Sequence, residues 1–380
     1  MLLVVLSLLA AIWAGLLRMG WVWPPLRPSL AALHGPLMVS GFLGTLIGLE
    51  RAVALRRDWT YLSPLLTGLG GILLIAGFVQ PAIILITFGS AVLVAVSVVI
   101  VRHENALHTV TMGAGAVSWL VGNMLWLFGR PIYQASYWWA GFVLLVIAGE
   151  RLELSRILRL TKRTTRLFGL AAGLFGVGLI ISLVAYGAGI RIASLGVVAL
   201  ALWFGRYDIA RRTIRKPGVT RYIAWNLLMG YVWLAVSGLI GLYYSTLVAG
   251  PVYDAWLHTL FLGFAFSMIF AHALIILPAV LNVQVSFHRG FYLPPILLHI
   301  SLLMRVAGDL LPQQTLRQWG IEEERVQLVW AAASEGNVLA AAVDKMTEEL
   351  RALGPLRWNQ TVLGENGSGE IQQVAEEVSA

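Results

Sequence analysis

Apolar runs separated by short polar segments follow one another from the first residue to about residue 311. Eleven runs reach the length of roughly 17 to 25 residues that an α-helix needs to cross about 30 Å of hydrocarbon. The pattern predicts an all-α polytopic membrane protein with about 11 transmembrane helices. The predicted spans lie near residues 1–17, 29–49, 62–79, 81–101, 107–128, 133–149, 167–187, 189–205, 221–245, 254–282 and 290–311.

Composition agrees with this pattern. Hydrophobic residues make up 58% of the 380 residues and charged residues only 12%, which excludes a soluble globular domain of this length. The first run begins at Met1 without a basic segment before it and without a clear small-residue cleavage site. We therefore interpret this run as a retained helix and not as a signal peptide, in a multi-pass protein of the inner or plasma membrane.

Basic residues are distributed unevenly between the loops. The loops after the second, fourth, sixth, eighth and tenth spans, counted together with the first few residues of the following span, contain 17 Lys and Arg residues, whereas the intervening loops counted in the same way contain four. Because cytoplasmic loops of membrane proteins accumulate basic residues, this bias predicts a cytoplasmic N-terminus. The net charge of +8 then reflects the membrane topology, and the basic loops also attract anionic lipid. No nucleic-acid partner is expected.

The charge balance reverses after residue 311. Residues 1–311 contain 22 basic and 8 acidic side chains, and residues 312–380 contain 5 and 11. We therefore predict a membrane domain over 1–311, a short soluble α/β tail over 312–358 and a disordered end over 359–380.

The predicted tail begins with a short strand, "RVQLVW" at 325–330. A helix follows, which Ser334 can cap and Gly354-Pro355 can stop. Eleven spans and a cytoplasmic N-terminus place this tail outside, whereas a re-entrant last span would keep it in the cytoplasm. The last span contains Arg305 and Asp309, which lie one turn apart and can pair.

Histidines are the main candidates for chemistry. Ionisable side chains inside a membrane are costly unless they are paired, so they indicate functional sites by default. A shared metal or haem role is one interpretation, and hydrogen bonds between helices are the other. Two histidines, His103 and His288, are predicted to be solvated in loops. The five histidines inside predicted spans are His34, His108, His258, His272 and His299.

Spacing separates these histidines into two depths. Fourteen residues turn an α-helix by about 1400° and raise it by about 21 Å, so His258 and His272 share one face but cannot bind one ion. Depth along the spans predicts an outer pair, His34 with His258, and an inner pair, His272 with His299. His108 is a candidate third ligand at the inner site.

Two internal similarities add to the pattern. The segments "LHGPLMVSG", "LHTVTMGAG" and "LHTLFLGFA" begin at Leu33, Leu107 and Leu257. Their similarity is explained either by duplication or by the high frequency of Leu and Gly in such helices. The second and sixth spans both end in Glu-Arg, at 50–51 and 150–151. These charges mark the membrane interface, or they have a specific structural or proton-handling role.

The membrane domain resembles the NnrS family, and more distantly subunit I of the haem-copper oxidases. The resemblance lies in the His-Gly at the start of the second span, in "LHTLFLGFAFSMIF" and in many short-looped helices with scattered histidines. It implies haem bound through His34, His258, His272 and His299, with copper as a further candidate.

The segment from Gly320 to Leu356 resembles the C-terminal end of the delta subunit of methyl-viologen-reducing hydrogenase. Its marks are the turn "ASEG" at 333–336 and a helix that ends in "LGPL". The resemblance implies a hydrogenase or heterodisulfide-reductase-type partner, and the alternative explanation is that the segment is a remnant of a fused or truncated reading frame. Because the chain has no cysteine, no cysteine-ligated iron–sulfur cluster is expected in it.

The sequence therefore favours a redox-associated membrane protein that binds haem, with copper as a further candidate, through intramembrane histidines. Its role would be electron transfer or nitric-oxide and small-gas metabolism, as a component of an oxidoreductase without an assigned catalytic residue. A second hypothesis is a metal-free anchor that recruits a soluble iron–sulfur oxidoreductase through its tail. The third is a proton-coupled transporter.

Overall fold

The computed structural model describes residues 1–21, 23–24, 27–158, 160–281, 286–318 and 336–354. Within these ranges every regular element is a helix, and we number the long helices α1 to α12 in chain order. Their bounds are α1 Leu2–Arg18, α2 Ser29–Leu55, α3 Asp58–Ala76, α4 Val79–His103, α5 Leu107–Leu127, α6 Ile132–Leu158, α7 Lys162–Ser182, α8 Tyr186–Tyr207, α9 Gly218–Tyr244, α10 250–281, α11 289–318 and α12 Gly336–Leu353.

Ten of these helices, α2 to α11, are long and apolar enough to cross a membrane. The apolar helix α1 has 17 residues and is therefore about 25 Å long, slightly less than the hydrocarbon thickness. The predicted all-helical, multi-pass membrane protein is confirmed at this level. The first predicted span, 1–17, is present as helix α1, and its crossing of the membrane stays a prediction.

The tail is described only in part. The strand predicted at 325–330 lies outside the described residues, so the soluble α/β character of the tail stays a prediction. The predicted helix is present as α12, which begins two residues after Ser334. Gly354 follows it with φ +71°, the left-handed conformation that commonly ends a helix at glycine.

Residue contacts divide the chain into two compact units. The first contains Met1–Ala249 and Trp256–Leu302, and the second contains Gly250–Ala255 and Leu303–Ala380. Small residues bring helix backbones close together in the first unit, as is common between helices in lipid. For example, a Cβ atom on Gly178 of α7 would overlap the backbone of Ala193 in α8.

Helix α1 packs into the first unit through small side chains. Ser7, Ala11 and Ala14 are buried and recur at helical spacing, so they form one stripe. A Cβ atom on Gly41 of α2 would lie 3.1 Å from the Ser7 hydroxyl oxygen. A Cβ on Gly15 of α1 would lie 2.9 Å from Cε1 of His34, so glycine at this position lets α1 approach that imidazole.

Ion pairs join several loops at one end of the first unit. Arg51 near the end of α2 pairs with Glu150 of α6, and Arg156 of α6 lies 3.0 Å from Glu104 in the loop after α4. Arg151 of α6 binds Asp208, which follows α8. The loops after α2, α4, α6 and α8 therefore lie at the same end, as the charge pattern predicts. The cytoplasmic location of this end stays a prediction.

The second unit contains its own ion cluster. Arg305 pairs with Asp254, and its Nε atom lies 3.9 Å from a carboxylate oxygen of Asp309. The pairing of Arg305 with Asp309 was predicted from their spacing, whereas Asp254 comes from a distant part of the sequence. The cluster surrounds an arginine in an apolar segment with two carboxylates, which lowers the cost of placing its charge there.

Candidate metal centre

The structure brings the predicted outer pair of histidines together. His34 lies near the start of α2 and His258 lies in the first part of α10, 224 positions later. The centres of their imidazole rings are 6.4 Å apart, and the ring planes are inclined by only 13°. Both side chains are half-buried. The two predicted outer histidines are therefore neighbours with nearly parallel rings.

A backbone carbonyl orients the first of these rings. Nδ1 of His34 lies 2.7 Å from the carbonyl oxygen of Ala11 in α1. A carbonyl only accepts hydrogen bonds, so Nδ1 carries the proton and Nε2 of the neutral ring is the nitrogen with a lone pair. Histidines that bind metals usually have this arrangement, in which the other ring nitrogen donates to a carbonyl or carboxylate.

A π-helical segment follows each histidine of the pair. Leu37–Gly44 is π-helical in α2, and Thr259–Ala265 is π-helical in α10. Such segments are rare within α-helices and are frequent at functional sites. Two of them at corresponding places beside two adjacent imidazoles mark this region as the candidate site.

The π-helical segments also set the side-chain register. In an α-helix, a residue eight positions after a histidine points about 80° away from it, but the extra residue in a π turn brings it back to the same face. Phe42 lies eight residues after His34, and Phe266 lies eight residues after His258. Their ring centres are 6.1 Å apart, so α2 and α10 run in the same direction here.

Buried polar groups hold the π-helical segment of α2 in place. The Ser40 hydroxyl accepts a hydrogen bond from Nε1 of Trp119 at 3.2 Å and donates to the side-chain oxygen of Asn123 at 3.4 Å. Nε1 of Trp139 donates to the same oxygen at 2.9 Å. All four residues are fully buried or nearly so. Because unmade hydrogen bonds inside a protein are costly, this network fixes α2 against α5 and α6.

The predicted inner pair is not assembled in the described part of the chain. Nδ1 of His272 lies 2.7 Å from the carbonyl oxygen of Met268 in its own helix. Nδ1 of His299 accepts from Nε1 of Trp233 at 3.0 Å, so Nε2 carries the proton of the neutral ring. Each ring is therefore held by a hydrogen bond to another group, and His299 in this tautomer presents no lone pair to a metal.

The predicted third inner ligand, His108, belongs to a different cluster. Its Nε2 atom lies 3.5 Å from Glu104 and 3.4 Å from Arg156, so its surroundings are the ion pairs at the loop end of α5. His103 and His288 have exposed side chains, as predicted.

The candidate centre thus offers two imidazole side chains. Among the described residues, no group of three or more His, Cys, Asp or Glu side chains is placed to hold a metal ion. Structural zinc sites use four protein ligands and catalytic ones three. A two-imidazole centre instead suits a metal that receives its remaining ligands from elsewhere.

A buried ion pair lies toward the other end of the first unit. Nε and Nη2 of Arg151 donate to the two carboxylate oxygens of Asp208 at 2.9 and 2.8 Å. Their side chains are 4% and 0% exposed. One oxygen of Asp208 also accepts from the backbone N–H of Ala210 at 2.7 Å. The Glu-Arg motifs at 50–51 and 150–151 therefore have structural partners, which sequence spacing alone did not reveal.

Residues 1–335 of the chain match the family described as a domain of unknown function, DUF8744. The chain belongs to this family. The match takes in α1 to α11 of the DUF8744 chain with both imidazoles of the candidate centre, and α12 lies beyond it. Comparison with curated proteins and with solved structures found no match.

Proposed function

We propose that the chain binds haem between His34 and His258 and transfers electrons within the membrane. The observation that carries this proposal is the nearly parallel pair of imidazoles with ring centres 6.4 Å apart.

The separation of the rings is compatible with both histidines holding one haem iron. An imidazole nitrogen binds a metal at about 2 Å, and the ring centre lies about 1 Å further on, so opposed rings have centres about 6 Å apart. Haem also accounts for the number of ligands, because the porphyrin supplies four nitrogens and the protein needs to supply only two. The resemblance of the second span and of "LHTLFLGFAFSMIF" to the NnrS family leads to the same expectation.

A haem held by His34 and His258 would supply one-electron oxidation and reduction. With both histidines bound to it, such a haem would favour electron transfer over binding of a small gas. The chain's own groups fix the ligands: the Ala11 carbonyl orients the His34 ring, and the small Gly15 leaves space for that ring beside α1. Binding of copper by the same two histidines, without a porphyrin, is the alternative form of this proposal.

Visible absorption of the purified protein tests the proposal. We expect a Soret band after haem-sufficient expression, and we expect His34→Ala and His258→Ala each to remove most of it. The double variant should lose no more than either single variant, because both rings serve one centre. His103→Ala is the matched control, since this histidine is exposed at the end of α4.

Two results would contradict haem binding at this centre. One is folded wild-type protein without a Soret band, and metal analysis of the same sample then reports whether copper is bound. The other is a pair of folded single variants with unchanged haem content. The variants His272→Ala and His299→Ala should keep the band, whereas a role for these residues as inner ligands would lower it.

The orientation and the tail complete the proposal. We infer a cytoplasmic N-terminus in the inner or plasma membrane, because the loops with 17 basic residues include those that ion pairs join at one end. With a re-entrant last span, which keeps the tail in the cytoplasm, the tail would recruit a soluble redox partner of the hydrogenase or heterodisulfide-reductase type. In α12, Val343 is 54% exposed, which leaves apolar surface for such a contact.

A further inference from the structure

A basic pocket lies in the first unit where the loop after α6 meets the segment after α8. Its volume is about 450 Å³, within the range of about 300 to 1,000 Å³ that is usual for small-molecule sites. Residues from the start of α7 and from the short helical turn Ala210–Thr213 complete its wall. The pocket lies at the loop end of the unit, well away from the imidazole pair along the helices.

Four arginines line this pocket: Arg206, Arg211, Arg212 and Arg215. Their side chains are exposed, and none of them forms an ion pair with a carboxylate among the described residues. Arg206 is positioned over the ring of Tyr207, with 5.5 Å between its Cζ atom and the ring centre. Like charges that converge without counter-charges lower their mutual repulsion by binding an anion.

The one carboxylate in the wall does not offset this charge. Asp208 accepts two hydrogen bonds from the buried Arg151 and one from the backbone of Ala210. Its negative charge is therefore neutralised from inside the protein. The pocket keeps the full positive charge of its four guanidinium groups.

The remaining wall distinguishes this pocket from a simple ion site. Thr161 and Thr164 provide hydroxyl groups, while Leu158 and Leu160 provide apolar surface beside the arginines. Guanidinium groups bind phosphate oxygens in a bidentate manner, and hydroxyl groups add further hydrogen bonds. The wall therefore suits a phosphate group that is attached to an apolar body.

We propose that this pocket binds a phosphate-bearing anion. Two sources share this chemistry, the headgroup of an anionic phospholipid and a soluble phosphate compound. The leucines and the place of the pocket at the end of the membrane helices point to the lipid, since basic pockets between such helices bind acidic headgroups.

Binding of two probes to the full-length protein in detergent separates the sources. Short-chain phosphatidylglycerol represents the lipid and inorganic phosphate represents the soluble anion, and isothermal titration calorimetry measures each. We expect saturable binding of phosphatidylglycerol and no binding of short-chain phosphatidylcholine. If inorganic phosphate binds as tightly as phosphatidylglycerol, the soluble source is supported instead.

Substitution of the arginines tests the position of the site. Each arginine removed should weaken binding about fivefold, so Arg211→Gln, Arg212→Gln and Arg215→Gln together should weaken it about a hundredfold. If the triple variant does not fold, Arg212→Gln alone should still show the fivefold loss. The corresponding lysine substitutions should restore only part of the affinity, because lysine cannot bind phosphate in a bidentate manner.

A control variant removes the same charge at other exposed basic residues. The substitutions are Arg56→Gln, Arg57→Gln and Arg102→Gln, all outside the pocket. This control should keep wild-type affinity. Equal losses in the control and pocket variants would mean non-specific attraction, and failure of both probes to bind the wild-type protein would equally overturn the proposal.

Discussion

Breaking the buried ion pair between Arg151 and Asp208 should strongly destabilise the protein. The two side chains are almost fully buried and share two hydrogen bonds, so either substitution leaves one buried charge without its partner. Removal of one partner from such a pair typically costs about 3 to 5 kcal/mol. Since proteins are commonly stable by about 5 to 15 kcal/mol, Arg151→Met should remove a large part of the free energy of unfolding.

A double-mutant cycle measures this coupling. We expect Arg151→Met and Asp208→Asn each to lower the free energy of unfolding, which equilibrium unfolding of the protein in detergent reports. The double variant should be more stable than the sum of the two losses predicts, by about 2 kcal/mol or more, because it leaves no charge unpaired. Asparagine at 208 can still accept from the Ala210 backbone, so this hydrogen bond is kept through the cycle.

An exposed ion pair provides the comparison. Arg156 and Glu104 lie 3.0 Å apart with side chains that are 57% and 46% exposed. Arg156→Gln should cost no more than about 1 kcal/mol, as is usual for surface pairs. The reasoning would be refuted if Arg151→Met cost as little as Arg156→Gln, or if the losses from Arg151→Met and Asp208→Asn were additive.

Gly44→Ala should destabilise the protein by about 2 kcal/mol or more in the same unfolding assay, because the added Cβ would overlap the Trp119 ring. Gly173→Ala is the control and should be neutral or slightly stabilising, because no described atom lies within 4 Å of the added Cβ. An unchanged Gly44→Ala variant would show that Trp119 can move. Because the chain has no cysteine, single cysteines can be labelled without background: Lys216→Cys should react with an impermeant reagent only from the cytoplasmic side and Arg130→Cys only from outside, and a reversed result would invert the proposed topology.

The helices could be predicted because their signal is local. An apolar run of sufficient length specifies a spanning helix without reference to its neighbours, and the eleven predicted spans correspond to α1 to α11. The outer histidine pair could also be predicted, since His34 and His258 both lie near the start of helices with the same predicted direction. The predicted depth of each histidine along its span was sufficient to select this pair.

The remaining features depend on which helices are neighbours, and one sequence does not contain that information. Equal depth did not bring His272 and His299 together, because each ring found a hydrogen-bond acceptor or donor nearby, the Met268 carbonyl and the Trp233 indole. The pairing of Arg151 with Asp208 joins residues 57 positions apart, so no helical spacing indicates it. The sequence around each of these two residues shows only a charged residue beside an apolar segment, and this does not identify the partner.

The π-helical segments were also beyond prediction. Leu37–Gly44 and Thr259–Ala265 have the same apolar composition as ordinary transmembrane helix. The extra residue per turn is stabilised by tertiary contacts, such as those of Ser40 with Trp119 and Asn123. The repeated "LH" segments at 33 and 257 were the available sign that these two helices correspond.

The ion pair at the far end of α2 has a mechanical consequence. Arg51 is joined to Glu150 about 17 residues, or roughly 25 Å, along the helix from His34. The hydrogen bonds of Ser40 hold α2 a second time, six residues or roughly 9 Å from His34. A rotation of about 5° around Ser40 would displace His34 by only about 0.8 Å. The two attachments therefore keep the distance between the imidazoles nearly constant when the charged loops move.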